Sequence, residues 1–207
     1  HKDFSIRYIL QEEINGKWVT RNLLDEKGLE SADDKGLDPK KPVTIHTTFT
    51  GDTKIEWVHA ISRGAMVLKP KVLEKTTENP IRVGLSVNLP RLYRFDKEPE
   101  GRELKKKVGG DTIEGIRLKD KKKVRIKFHE NEKDITGDEF LKDGASLVEV
   151  KSEGFNGNTF VFAQSSEKAG RIDVETNGPL YNSFKMMWLA NPETLGEKDC
   201  FISVGME

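Results

Sequence analysis

Apolar and polar side chains alternate with a period of two along much of this chain. In "VTIHTTFT", Val43, Ile45, Thr47 and Phe49 fall on one side, and Thr44, His46, Thr48 and Thr50 on the other. This is the pattern of a strand with one wet face. The rhythm recurs. "IRVGLSVNLP" sets Val83, Leu85, Val87 and Leu89 on one face, and "KVRIKFHE" sets Val124, Ile126 and Phe128 opposite Arg125, Lys127 and His129. "RIDVET" alternates Ile172 and Val174 with charged residues. Further strands are predicted at "FSIRYIL", "KWVTRNL", "KIEWVHAI", "GAMVLKPKVL", "TIEGIRL", "SLVEVKSE", "NTFVFAQS", "SFKMMWLA" and "CFISVGM".

Many short strands, with almost no apolar repeat at i, i+3, i+4, i+7, predict an all-β fold. The expected architecture is a two-sheet antiparallel β-sandwich, jelly-roll-like, with long charged loops, and residues 1–207 form a single domain. One short helix is predicted at "GDEFLKDG", with Asp138 as cap and Gly144 as stop. Turns fall at Asn15-Gly16, Thr50-Gly51-Asp52, Gly109-Gly110-Asp111, Asn156-Gly157-Asn158 and Asn177-Gly178-Pro179, all rich in residues that tolerate positive φ. Three polar tracts, 25–42, 96–111 and 129–144, read as long loops, the places where a rigid sandwich carries binding.

Composition narrows the function more than it names it. The 207 residues suffice for a real core, and 35 Lys+Arg balance 35 Asp+Glu, so no net field attracts nucleic acid. The single cysteine, Cys200, excludes an intrachain disulfide and reads as a small buried hydrophobe. No apolar run is long enough for a transmembrane helix, and the opening "HKDFSIRYIL" lacks the series of a signal peptide. His1, His46, His59 and His129 have no metal-ligand spacing, so no metal or cofactor is expected. The segments "ADDKGLD" and "GFNGN" offer oxygens but match no calcium loop.

Sandwich-fold glycosidases need paired carboxylates aimed from one face. Here single acids, at Glu56, Glu114, Glu149, Asp173 and Glu175, alternate with apolar residues and read as solvated strand faces. No catalytic residue is assigned, and the chain is expected not to be an enzyme. Among aromatics, Trp57 shares parity with Ile55, and Trp188 with Phe184 and Met186, which points both into the core. Tyr93 and Tyr181 lie by Pro90 and Gly178-Pro179, near loop ends, and are better placed for ligand contact.

The run Phe49-Thr50-Gly51-Asp52, then Trp57, then Ile61-Ser62-Arg63-Gly64, followed by "PIRVGLSVNLPR", resembles the spirochaete periplasmic flagellar filament outer-layer (sheath) protein A family. The likeness covers about residues 45–95; where that family continues into Asn-Ser-Trp and a proline-rich aromatic stretch, this chain reads "LYRFDKEPEG". The resemblance implies a non-enzymatic, exported, periplasmic protein that coats the flagellar core and supports filament shape and motility. Its partners would be other filament or sheath proteins, with Trp57, Arg63, Arg91 and Tyr93 as candidate contacts. Two alternatives stand beside it: a carbohydrate-binding module and a polysaccharide-cleaving jelly-roll enzyme. Exposed coplanar rings would favour the first, and converging Arg, His, Tyr and carboxylate groups the second.

Overall fold

The computed structural model describes residues 5–27, 41–89, 92–93, 95–131, 135, 139–141, 143–195 and 202–206. The strands are β1 (Ser5–Ile14), β2 (Lys17–Arg21), β3 (Leu23–Lys27), β4 (Val43–Phe49), β5 (Lys54–Ser62), β6 (Ala65–Glu74) and β7 (Ile81–Leu89). After helix α1 (Gly101–Val108) come β8 (Thr112–Arg117), β9 (Lys123–Lys127), β10 (Ala145–Lys151), β11 (Thr159–Gln164), β12 (Arg171–Thr176), β13 (Phe184–Ala190) and β14 (Ile202–Met206). Each segment singled out in the sequence contains a strand, although "KVRIKFHE" ends in a 3-10 turn at Phe128–Glu130, and every pairing is antiparallel.

One sheet runs β2-β1-β7-β13-β12 and the other β9-β8-β10-β11-β14-β6-β5-β4-β3. The two touch through a single ladder pair, Ala145 with Ile172. At the opposite margin the chain itself crosses between them: β2 ends at Arg21, β3 begins at Leu23, and only Asn22 intervenes. Asn22 is held by Thr50, whose backbone N–H donates to the Asn22 carbonyl at 2.8 Å and whose hydroxyl accepts from the Asn22 N–H at 3.0 Å. "KWVTRNL" is thus one strand that changes sheets. The jelly-roll detail finds no support in this order, because β3 to β6 lie side by side in chain order as a meander.

The core lies between the sheets. From one side come Leu10, Val83, Leu85, Val87, Met186 and Trp188; from the other Ile45, Ile55, Trp57, Leu68, Val148 and Phe162, all nearly inaccessible. Each such side chain contributes about 1.5–3 kcal/mol when withdrawn from water. The parity read from the sequence therefore places the right residues inside. Glycine matters at Gly84, where β7 passes against β13: a Cβ there would lie 1.9 Å from the Trp188 carbonyl oxygen.

Two parts of the expected picture change. The tract 96–111 is not all loop, since α1 occupies Gly101–Val108 and seats Leu104 and Val108 in the core. With apolar residues only at i and i+4 among lysines, the helix left little periodic signal. The helix expected at "GDEFLKDG" reduces, in its described part, to a 3-10 turn at Glu139–Leu141. Among the described residues no helix is long and apolar enough to cross a membrane. His1, Cys200 and most of the 25–42 tract lie outside the described residues.

Candidate functional site

The stretch around Trp57 builds one end of the interior. Trp57 is wholly buried, its indole N–H donates to Thr47 Oγ1 at 2.8 Å, and Tyr8 from the opposite sheet stacks on it with centroids 4.7 Å apart. Tyr8 Oη also bonds His59 Nε2 at 2.8 Å, which ties β1 to β5 across the sandwich. Burial, aided by the charge of Glu26, raises the Tyr8 pKa, and burial lowers that of His59. Both rings stay neutral around pH 7, so the pair is a hydrogen-bonded strut. Wholly buried, Trp57 presents no surface to a partner.

Arg63 occupies the β5–β6 hairpin turn in the left-handed region at φ 50, followed by Gly64 at φ 79. Such a pair of positive φ angles closes a two-residue hairpin, and it leaves Arg63 exposed at the tip. Arg91 lies outside the described residues. Of the three described candidate contacts, Tyr93 joins a cluster built around a buried carboxylate.

Tyr93 donates its hydroxyl to Asp111 Oδ2, Ser152 Oγ donates to the same oxygen at 2.6 Å, and the Glu153 N–H donates to Oδ1 at 3.1 Å. Ser152 Oγ in turn accepts from the Gly154 N–H at 3.0 Å. Asp111 is 1% exposed and sits at the entry to β8, while Ser152 follows β10. Burial, with the hydrogen bond to Asp111 next, pushes the Tyr93 pKa up to about 12. A phenol held that firmly in its neutral form is a poor base or nucleophile at neutral pH. The set works as a latch joining the chain after β7, the start of β8 and the end of β10. A cavity of about 610 Å³ opens beside it, bordered by Lys151, Glu153, Asn156 and Asn158.

Glu114 corrects the reading of a solvated strand face. Its side chain points away from the core yet is 1% exposed, because Lys123 and Arg125 of the neighbouring β9 close over it. Lys123 Nζ lies 2.5 Å from Oε2, and Arg125 Nε donates to Oε1 at 2.5 Å. Burial pulls the Glu114 pKa up, but the two cations outweigh it and hold it below the usual range. Sequence spacing does not reveal this, since Glu114 pairs with Arg125 across a hairpin.

The other aromatics separate by exposure. Trp188 is fully buried, the Trp18 ring is covered by the Arg82 guanidinium at 3.8 Å, and Tyr181 is buried edge-on to Phe95 at 5.6 Å. Among the described residues no three His, Cys, Asp or Glu side chains gather as metal ligands.

Exposed apolar side chains concentrate at the sheet-switching corner. Val19 and Leu23 are 40% and 41% exposed and Leu24 is 59% exposed, within six residues of chain. Leu24 stands out of register, at the bulge between Leu23 and Asp25. Among the described strands, β2 pairs with β1 and β3 with β4, and each ends its sheet. At another terminal strand, β9, the cations Lys123, Arg125 and Lys127 alternate along the chain with no large exposed apolar side chain between them. The chain matches no family model, no curated protein and no solved structure.

Proposed function

We propose that this protein is a non-enzymatic assembly component that binds other proteins through the β2–β3 corner. The observation that carries the reading is the contrast between sheet ends. β9 carries Lys123, Arg125 and Lys127, the usual defence against unwanted strand pairing, whereas the corner, where β2 and β3 each have one neighbour among the described strands, exposes Val19, Leu23 and Leu24. An extended segment of a partner pairing along such an edge gains main-chain hydrogen bonds and covers the apolar side chains. In the specific form suggested by the family resemblance, the partners are periplasmic flagellar filament or sheath proteins, and the protein is exported.

A photo-crosslinking residue placed at Leu24 in the source cells tests this, with the same probe at Lys122 as a control. A discrete protein adduct at Leu24, absent at Lys122 and abolished by Val19→Glu, is expected. Equal labelling at both positions, or none, overturns the assembly reading. An adduct that contains no filament or sheath protein removes the flagellar form alone.

A further inference from the structure

We propose a second site, independent of the corner, that binds a neutral saccharide in the cavity between residues 95–99 and the turn at 179–182. The cavity holds about 380 Å³, at the small end of the range for small-molecule sites and too small for a folded partner or a long peptide. Its walls are pre-formed. Phe95 is fixed between the edge of Tyr181 at 5.6 Å and the ammonium of Lys107 at 5.0 Å. The facing turn is closed by the Asn182 N–H donating to the Pro179 carbonyl at 3.0 Å, and the Leu180 N–H donates to Asn131 Oδ1 at 3.3 Å. A ring stacking there pays little to order the apolar wall.

The lining dictates the ligand's chemistry. Phe95, Tyr181, Pro99 and Pro179 supply apolar surface, while Asp96 and Glu98 supply acceptors suited to hydroxyl groups. A wholly apolar ligand would strand those acceptors. Phosphate would meet two carboxylates. A cation would meet Lys97 in the wall and Lys107 above Phe95, which together offset Asp96 and Glu98 and leave the site near neutrality. A sugar ring, with an apolar face and a rim of hydroxyls, satisfies each constraint.

The test is a titration of the isotopically labelled protein, at millimolar sugar, with cellotetraose, xylotetraose, maltotetraose and chitotetraose, read by amide chemical shifts. At least one sugar is expected to shift the amides of residues 95–98 and 180–182. Asp96→Asn and Glu98→Gln should each weaken that affinity about tenfold, the loss typical of one hydrogen bond to a charged group. Both positions lie at the cavity rim, and unchanged urea midpoints would show that the fold is kept. Leu24→Glu should leave sugar binding intact, which separates this site from the assembly corner. The proposal is overturned if none of the four sugars shifts those amides, if the shifts fall elsewhere, or if both variants bind as tightly as the parent.

Discussion

Glu12 offers the sharpest quantitative test of how the sandwich margin is held. Its carboxylate, 5% exposed on β1, accepts from Thr77 Oγ1 at 2.6 Å, from Asn79 Nδ2 at 2.7 Å and from Arg21 Nε at 2.7 Å. Those donors, Thr77 foremost, then Asn79 and Arg21, hold its pKa at about 2 instead of 4.5. At 1.36 kcal/mol per pH unit the difference corresponds to about 3 kcal/mol. Arg21 is 29% exposed and the group lies at the sheet margin, so solvent screening reduces this to about 1–2 kcal/mol. Because the folded pKa is depressed, the contribution is present in full above the unfolded value and fades as pH falls from 4.5 towards about 2. Glu12→Gln removes the titration and forces an amide N–H₂ among three donors. Urea unfolding near neutral pH should show the variant less stable by about 1–2 kcal/mol, and the gap should narrow on acidification to about pH 2.5. A gap that stays constant across that range would refute the assignment of the stability to the ionised carboxylate.

Four further substitutions probe other parts of the fold. Trp57→Phe and Trp188→Phe each remove ring volume, but only the first also breaks a bond, to Thr47; the Trp188 indole N–H is buried without a hydrogen-bond partner among the described residues. Urea titration should therefore show Trp57→Phe as the more damaging by about 1–2 kcal/mol. Gly84→Ala drives a Cβ into the Trp188 carbonyl and should cost about 3 kcal/mol or more, seen as a large drop in melting temperature or a failure to fold. Tyr93→Phe deprives buried Asp111 of one donor and should cost about 1–2 kcal/mol in urea unfolding, with little change in far-ultraviolet circular dichroism.

The strands were legible because their signal is local. Ile45 and Trp57 lie on faces that alternation alone assigns, and turns such as Asn15-Gly16 adopt the positive φ angles, 52 and 75, that their residue types favour. Sheet membership was not legible. Nothing in "KWVTRNL" says that the chain changes sheets at Asn22, because that step depends on Thr50, 28 residues away. Helix α1 was missed because two apolar residues among lysines do not make a periodic stripe.

The candidate sites follow the same division. Asp111 meets Tyr93 from 18 residues away and Ser152 from 41, and the sugar-sized cavity joins residues 95–99 to 179–182. Alternation tells each residue which face it occupies, since that follows from the geometry of one extended backbone. It is silent on which strands become neighbours, because that is settled by the free energy of closing long loops against burial of the shared core. The exposed corner and the cavity both arise at that second level, where distant segments of this chain are packed together.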